Sequence, residues 1–167
     1  MRQFISLGSA VAGGLVLASL PALAADHWPQ DRTQAANTVT LDIAGRGNVL
    51  TIEQANAGAA GAAGNRLDLL VSGNGNGGAG EFAGAAAQME MRPGVLQQNG
   101  AANSLELAVL GNDNLFAVRQ SGAANALMAQ ISGHANQAVV SQAGQNNIAA
   151  FSQVGRGNIV SISQISW

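Results

Sequence analysis

The side chains that could do chemistry are few, and most lack the company that chemistry needs. His27 and His134 are the two histidines, too few for a His-based metal or acid–base centre. There is no cysteine, which excludes a disulfide scaffold, a Cys-rich zinc site and a thiol nucleophile. Gly73, Gly75 and Gly78 fit G-x-G-x-x-G after the strand-like LDLLVS. A dinucleotide fingerprint needs a helix opening there, and Asn76 to Gly80 is too Gly-rich to open one, so a turn insertion is the better reading. Asp42, Glu53, Asp68 and Glu106 could pair as carboxylates for acid–base work. They fall instead at outward strand positions, where a solvated, edge-blunting role fits better. The chain is therefore read as no enzyme, with no catalytic residue, cofactor or metal. What remains is amide chemistry. Asn103, Asn114, Asn125, Asn136, Asn147 and Asn158 are spaced by 11, and Gln98, Gln120, Gln142 and Gln164 by 22. A side-chain amide both donates and accepts, so identical amides stacked on one another can form a ladder.

The elements that would hold such a ladder follow from the same spacing. The units read NSLELAVLGND, NLFAVRQSGAA, NALMAQISGHA, NQAVVSQAGQN, NIAAFSQVGRG and NIVSISQISW. Earlier copies begin at Asn37, Asn48 and Asn65, and Arg92 heads a degenerate one, RPGVLQQNGAA, giving ten copies with insertions at 59–64 and 76–91. Within a copy, Asn is followed by apolar residues at +2 and +4, Gln or an apolar residue at +6, and Gly at +8. This period of two is a strand, with +2, +4 and +6 on one face. The glycines Gly100, Gly111, Gly122, Gly133, Gly144 and Gly155 supply the turns.

One such unit cannot bury its own apolar face. Two make a strand–turn–strand coil of 22 residues, and stacked coils bury a continuous core. The predicted fold is an all-β, amyloid-like β-solenoid of two facing parallel sheets, with neighbouring strands about 4.8 Å apart. The +6 columns favour two strands per coil over three. One reads Gln98, Gln120, Gln142, Gln164; the other reads Val109, Ile131, Gln153, with Gln153 the last member of the predicted ladder set. Asn103, Asn125 and Asn147 should share one column, and Asn114, Asn136 and Asn158 another, with Phe116 and Phe151 in the core. Strict spacing with Leu and β-branched residues in phase argues against a disordered low-complexity tract.

Composition sets the remaining bounds. The chain has 167 residues, 10% charged, with seven Arg, no Lys and a net charge of −2. That balance lacks the basic stripe a nucleic-acid binder needs. Residues 1–24 read as a signal peptide: Arg2, an apolar, helix-competent run from Phe4 to Leu20, Pro21, and an A-x-A site at Ala22-Leu23-Ala24. Residues 25–36 read as a flexible leader, 37–91 as irregular N-terminal repeats with insertions, and 92–167 as the regular repeat domain. The segment 76–91 leaves open a long loop or a short helix over Ala83–Met91. No segment of the mature chain is apolar for long enough to cross a bilayer as a helix. Beyond Asp113 there is no acid, and only Arg119 and Arg156 carry charge. Charges normally protect strand edges, so the C-terminal strand is read as an uncapped edge open to end-to-end addition.

The repeat resembles that of the curlin family, S-x5-Q-x-G-x2-N-x-A-x3-Q. The Q-x-G-x2-N core recurs at Gln98–Asn103, Gln120–Asn125, Gln142–Asn147 and Gln153–Asn158; Asn147-Ile148-Ala149 followed by Gln153 carries the second half. Val109 and Ile131 depart from the pattern, as do several Leu residues at +2. The resemblance implies a subunit, major or minor and nucleating, of curli, the adhesive amyloid fibre of the biofilm matrix. It implies secretion through an outer-membrane pore with accessory factors, location on the surface of a Gram-negative cell, and self or other curlin subunits as partners. The competing reading is a monomeric β-solenoid binding module for ice or glycan. A regular outward Thr array would support it, and only Thr38, Thr40 and Thr51 fit.

Overall fold

A computed structural model describes residues 3–8 as backbone, and 36–57, 62–78 and 80–167 in full. The first strand is β1 (Gln3–Gly8). It is followed by β2 (Thr38–Ala44), β3 (Thr51–Ala55) and β4 (Arg66–Ser72), then a single helical turn α1 (Gly84–Ala87). The regular region continues as β5 (Val95–Ala101), β6 (Ser104–Asn112), β7 (Leu115–Ala123), β8 (Ala126–His134), β9 (Gln137–Gln145), β10 (Ile148–Arg156) and β11 (Ile159–Ile165).

Alternate strands go to opposite sheets. The first sheet runs β1-β2-β4-β6-β8-β10 and the second β11-β9-β7-β5-β3. All pairings from β2 onward are parallel and match repeat position to repeat position. Leu105 lies beside Leu127 and Val109 beside Ile131, while Gln120 lies beside Gln142. In the regular region neighbouring strands are therefore 22 residues apart, the coil that the periodicity predicts. Upstream the separation widens to 28 between β2 and β4 and to 38 between β4 and β6, without loss of register. The fold is a β-solenoid of two parallel five-stranded sheets, with β1 added antiparallel along β2. Phe4–Gly8, the first five residues of the expected helix-competent run, are thus extended, satisfying backbone groups that β2 would otherwise present along an edge. The rest of residues 1–24, and the expected leader up to residue 35, lie outside the described residues.

The core is the inward face of both sheets, filled by positions +2 and +4 of each strand. Leu67, Leu96, Leu105 and Phe116 are all buried. Phe151, Val160 and Ile162 occupy the same inward phase but are only partly buried, because no further coil lies over β10 and β11 among the described residues. Phe151 thus sits at the end of the core rather than inside it.

The turns explain the strictness of the repeat. Gly122 has φ 115°, and a Cβ there would fall on the carbonyl oxygen of Gly144 in the next coil. The backbones approach too closely for any side chain. The residue just before Asn48, Asn76 and each column Asn from Asn103 onward also adopts left-handed backbone, as at Ala124 with φ 55° and Asn146 with φ 57°. The sequence motif Gly73, Gly75, Gly78 falls in such a turn after β4, and no helix opens there.

The second insertion differs in register from the sequence reading. Asn76 stands in the Asn column, its side chain on Asn48 and Asn114, and Gly77 N–H donates to Asn114 O. Gly94 then resumes the strand line, donating to Phe116 O. The inserted stretch is thus 78–93, and Arg92 does not head a repeat. The insertion splits one copy after its Asn, so a search for intact eleven-residue units misplaced it by two. It folds as a strap over the outer face of the second sheet. Phe82 and Ala86 bury the outward residues Ala117 and Val139. Ala83 N–H donates to Gln137 Oε1 at 2.7 Å, and Ser161 Oγ reaches Ala85 O at 3.4 Å.

Candidate functional site

The chemistry of this chain lies in columns of amides that run along the stack. In the second sheet, position +6 is glutamine in every strand. Gln54 Nε2 donates to Gln98 Oε1 at 2.6 Å, Gln98 to Gln120 at 2.8 Å, Gln120 to Gln142 at 2.9 Å and Gln142 to Gln164 at 2.8 Å. The β alternation points these side chains inward, and parallel in-register pairing sets them one above another. Gln98, Gln120 and Gln142 are fully buried. The second proton of each Nε2 goes to a backbone carbonyl across the core, as from Gln120 to Ser104 O at 3.0 Å and from Gln142 to Ala126 O at 3.1 Å. The ladder includes Gln54, which the sequence reading left in the irregular half. Its strand is 44 residues from β5, and the two insertions together hide the phase.

Two asparagine ladders stand at the strand entrances. Asn37, Asn65, Asn103, Asn125 and Asn147 form the column before the first sheet. Asn48, Asn76, Asn114, Asn136 and Asn158 form the other. Each Oδ1 accepts two bonds from the next Asn, one from its backbone N–H and one from its Nδ2; for Asn103 and Asn125 these are 3.2 and 2.9 Å. The same Nδ2 crosses to a turn carbonyl, as from Asn125 to Gly144 O at 3.0 Å and from Asn136 to Gly155 O at 2.9 Å. Asn therefore does two jobs at once: it caps the turn and it registers the coils. Gly100, Gly111, Gly122, Gly133 and Gly144 are the close-approach residues of those turns, and Gly155, with φ 113°, closes the last turn after β10.

The first sheet carries no such glutamine column. Its +6 positions are Ile43, Val71, Val109 and Ile131, and only its last strand has Gln153. Gln153 is buried, and its Nε2 donates to Gln137 O at 3.1 Å. Its Oε1 is buried with no hydrogen-bond partner. Gln153 thus stands apart from the ladder of Gln54, Gln98, Gln120, Gln142 and Gln164, against the expectation that it belongs to it.

The ladders have a direction. Each Gln points Nε2 toward the following coil, and each Asn points Oδ1 toward it. The last coil consequently presents donors on glutamine and acceptors on Asn147 and Asn158. The first coil presents the complements, Gln54 Oε1 and the N–H groups of Asn37 and Asn48.

Charged residues play no part in these columns. Arg66 Nε pairs with Asp68 at 2.6 Å and Gln97 Nε2 donates to Glu53 at 2.7 Å, both on outer faces. His134 Nδ1 lies 3.5 Å from Asp113 Oδ2 at the turns. Among the described residues no three His, Asp or Glu side chains cluster as metal ligands, and no helix is long and apolar enough to cross a membrane. His27 lies outside the described residues.

A family model described as the Curlin associated repeat matches residues 133–165. That window holds Gln142, Gln153 and Gln164 together with Asn136, Asn147 and Asn158. Searches of curated proteins and of solved structures gave no significant match. The curlin family is structural rather than enzymatic, and its members are components of the extracellular curli fibre. Residues 133–165 of this chain are thus similar to the curlin associated repeat, and the two parallel sheets keep that repeat in register.

Proposed function

We propose that this chain is a secreted fibre subunit that assembles end to end into a curli-type amyloid for biofilm matrix and surface adhesion. The observation that carries the proposal is the face formed by β10 and β11. Among the described residues both strands have a neighbour on one side only. Over them lie partly covered core residues, Phe151, Val160 and Ile162, and forward-pointing amide groups. A strand edge with unpaired backbone groups and an apolar interior is a template for another chain. Once removal of residues 1–24 takes β1 off the edge of β2, the opposite end of the solenoid presents the complementary groups, so addition is head to tail and extends the parallel sheets with strands perpendicular to the fibre axis.

Export follows from the family resemblance: removal of residues 1–24, passage through an outer-membrane pore with accessory factors, and assembly outside the cell. The absence of cysteine suits that route, since a periplasmic disulfide could lock a chain before export.

The test is incubation of the purified chain 25–167 with an amyloid dye, followed by fibre diffraction. The expected outcome is dye-positive fibres with a meridional reflection near ~4.8 Å. A stable monomer with no dye response would overturn the proposal in favour of a monomeric binding module.

A further inference from the structure

Gln153 is a buried amide whose own stack does not serve it. It makes the same bond across the core as its counterparts: Nε2 to the carbonyl 16 residues earlier, Gln137 O at 3.1 Å, as Gln142 does to Ala126 and Gln164 to Ile148. Its orientation is therefore theirs. Oε1 faces back toward Ile131, which has nothing to donate, and is left unpartnered. The second Nε2 proton faces forward, beyond β10, where no strand lies among the described residues.

A second copy of this chain lacking residues 1–24, and so without β1 on β2, stacked head to tail would set β2 over β10 and β3 over β11. In the second sheet the fit is good, with Gln54 Oε1 of the new copy over Gln164 Nε2. In the first sheet the new copy brings Ile43, the +6 residue of β2, over Gln153. The Gln153 amide would then be sealed between Ile131 and Ile43, with its carbonyl and one N–H both unsatisfied. A buried polar group without a partner opposes the contact that buries it.

Resting on the assembly reading above, we infer that the β10–β11 face is matched to a different curlin-repeat chain, one whose opening coil carries Gln at +6 of both strands, and that Gln153 is the residue that disfavours a second copy of this chain. Such a partner places one Oε1 over Gln164 and another over Gln153. It satisfies both forward-pointing protons, where a like copy satisfies one.

Positions 43 and 153 lie at opposite ends of the molecule, so any energetic coupling between them arises across a joint between chains. Four versions of chain 25–167 test the idea by growth on their own seeds: the parent, Gln153→Ile, Ile43→Gln, and the double variant. Ile43→Gln gives the opening coil glutamine in both columns and stands in for the matched partner. Each single variant creates a matched joint, Ile on Ile or Gln on Gln. The double variant restores a mismatched one. The expected result is that the product of the two single-variant elongation rates exceeds the product of parent and double-variant rates by roughly tenfold or more, the scale of one hydrogen bond per matched joint. The ratio cancels whatever each substitution does inside its own chain. Equal products would overturn the inference while leaving the assembly reading intact. Failure of the parent to grow on its own seeds would overturn that reading, and this inference with it.

Discussion

The two sheets enclose one core, yet they fill the same layer of it differently. Along the first sheet the +6 column is Ile43, Val71, Val109 and Ile131 before it ends in Gln153; along the second it is Gln54, Gln98, Gln120, Gln142 and Gln164. The apolar column contributes burial, which has no direction and tolerates small shifts. The glutamine column contributes bonds that are lost on any slip of register, since a slip of one residue turns every inward side chain outward. The apolar column therefore drives collapse, and the amide column fixes which strand lies over which. It also gives the stack a polarity that hydrophobic burial cannot supply.

The outer faces differ as well. The second sheet is strapped by 78–93, and the first is left open, with Met128 and Ile148 exposed. The strap binds β7, β9 and β11 laterally, across the direction in which the ladders bind them.

The sharpest way to break the contrast is to interrupt the amide column from within. Gln120→Leu should leave the forward Nε2 proton of Gln98 and the Oε1 of Gln142 without partners, two buried orphans at about 1–3 kcal/mol each. The denaturant midpoint of assembled or folded chain should drop accordingly. A midpoint equal to the parent's would show that the column is replaceable by any side chain of its volume.

Next in size is a change at the end of that column. Gln164→Lys sets a charge on the forward face of β11, against the amide column of any arriving chain. Growth on parent seeds, followed by amyloid dye, should fall by about tenfold or more, corresponding to ~1.4 kcal/mol. Growth as fast as the parent's would show that the β10–β11 face is not where chains add.

A smaller effect is expected from Ile131→Gln in the apolar column. The new amide can donate to Gln153 Oε1, while its own Oε1 faces Val109 and goes unpaired. One orphan is exchanged for another, so the midpoint should move by no more than about 1–2 kcal/mol, well short of Gln120→Leu. A loss as large as that of Gln120→Leu would mean that the two columns are equally intolerant and that the contrast is one of composition alone.

The smallest effect on the stack should come from the strap. Phe82→Ala removes its main buried anchor, so proteolytic cleavage within 78–93 should rise while the midpoint of the ladder-bonded core changes little. Loss of the whole fold would show that the lateral strap, and not the axial ladders, carries the stability of the second sheet.

Much of this architecture was legible in the residues. An eleven-residue period with apolar +2 and +4 leaves one strand per unit, and the unbroken run of Gln98, Gln120, Gln142 and Gln164 at every second unit favours two sheets over three. Local pattern sufficed because every bond in a parallel in-register stack joins like position to like position. The sequence also showed where the regularity stops. It could not show that Asn76 and Gly94 belong to one strand line, because a chain that leaves the stack and returns to the same place preserves spatial phase while destroying sequence phase. Nor could it show that Ala117 and Val139, outward by alternation, are buried, since what covers them comes from an insertion far away in the chain. The fate of Gln153 was likewise a tertiary matter. Its type and spacing mark it as a ladder residue, but an amide is satisfied only by the neighbour that stacking brings to it, and here that neighbour is Ile131.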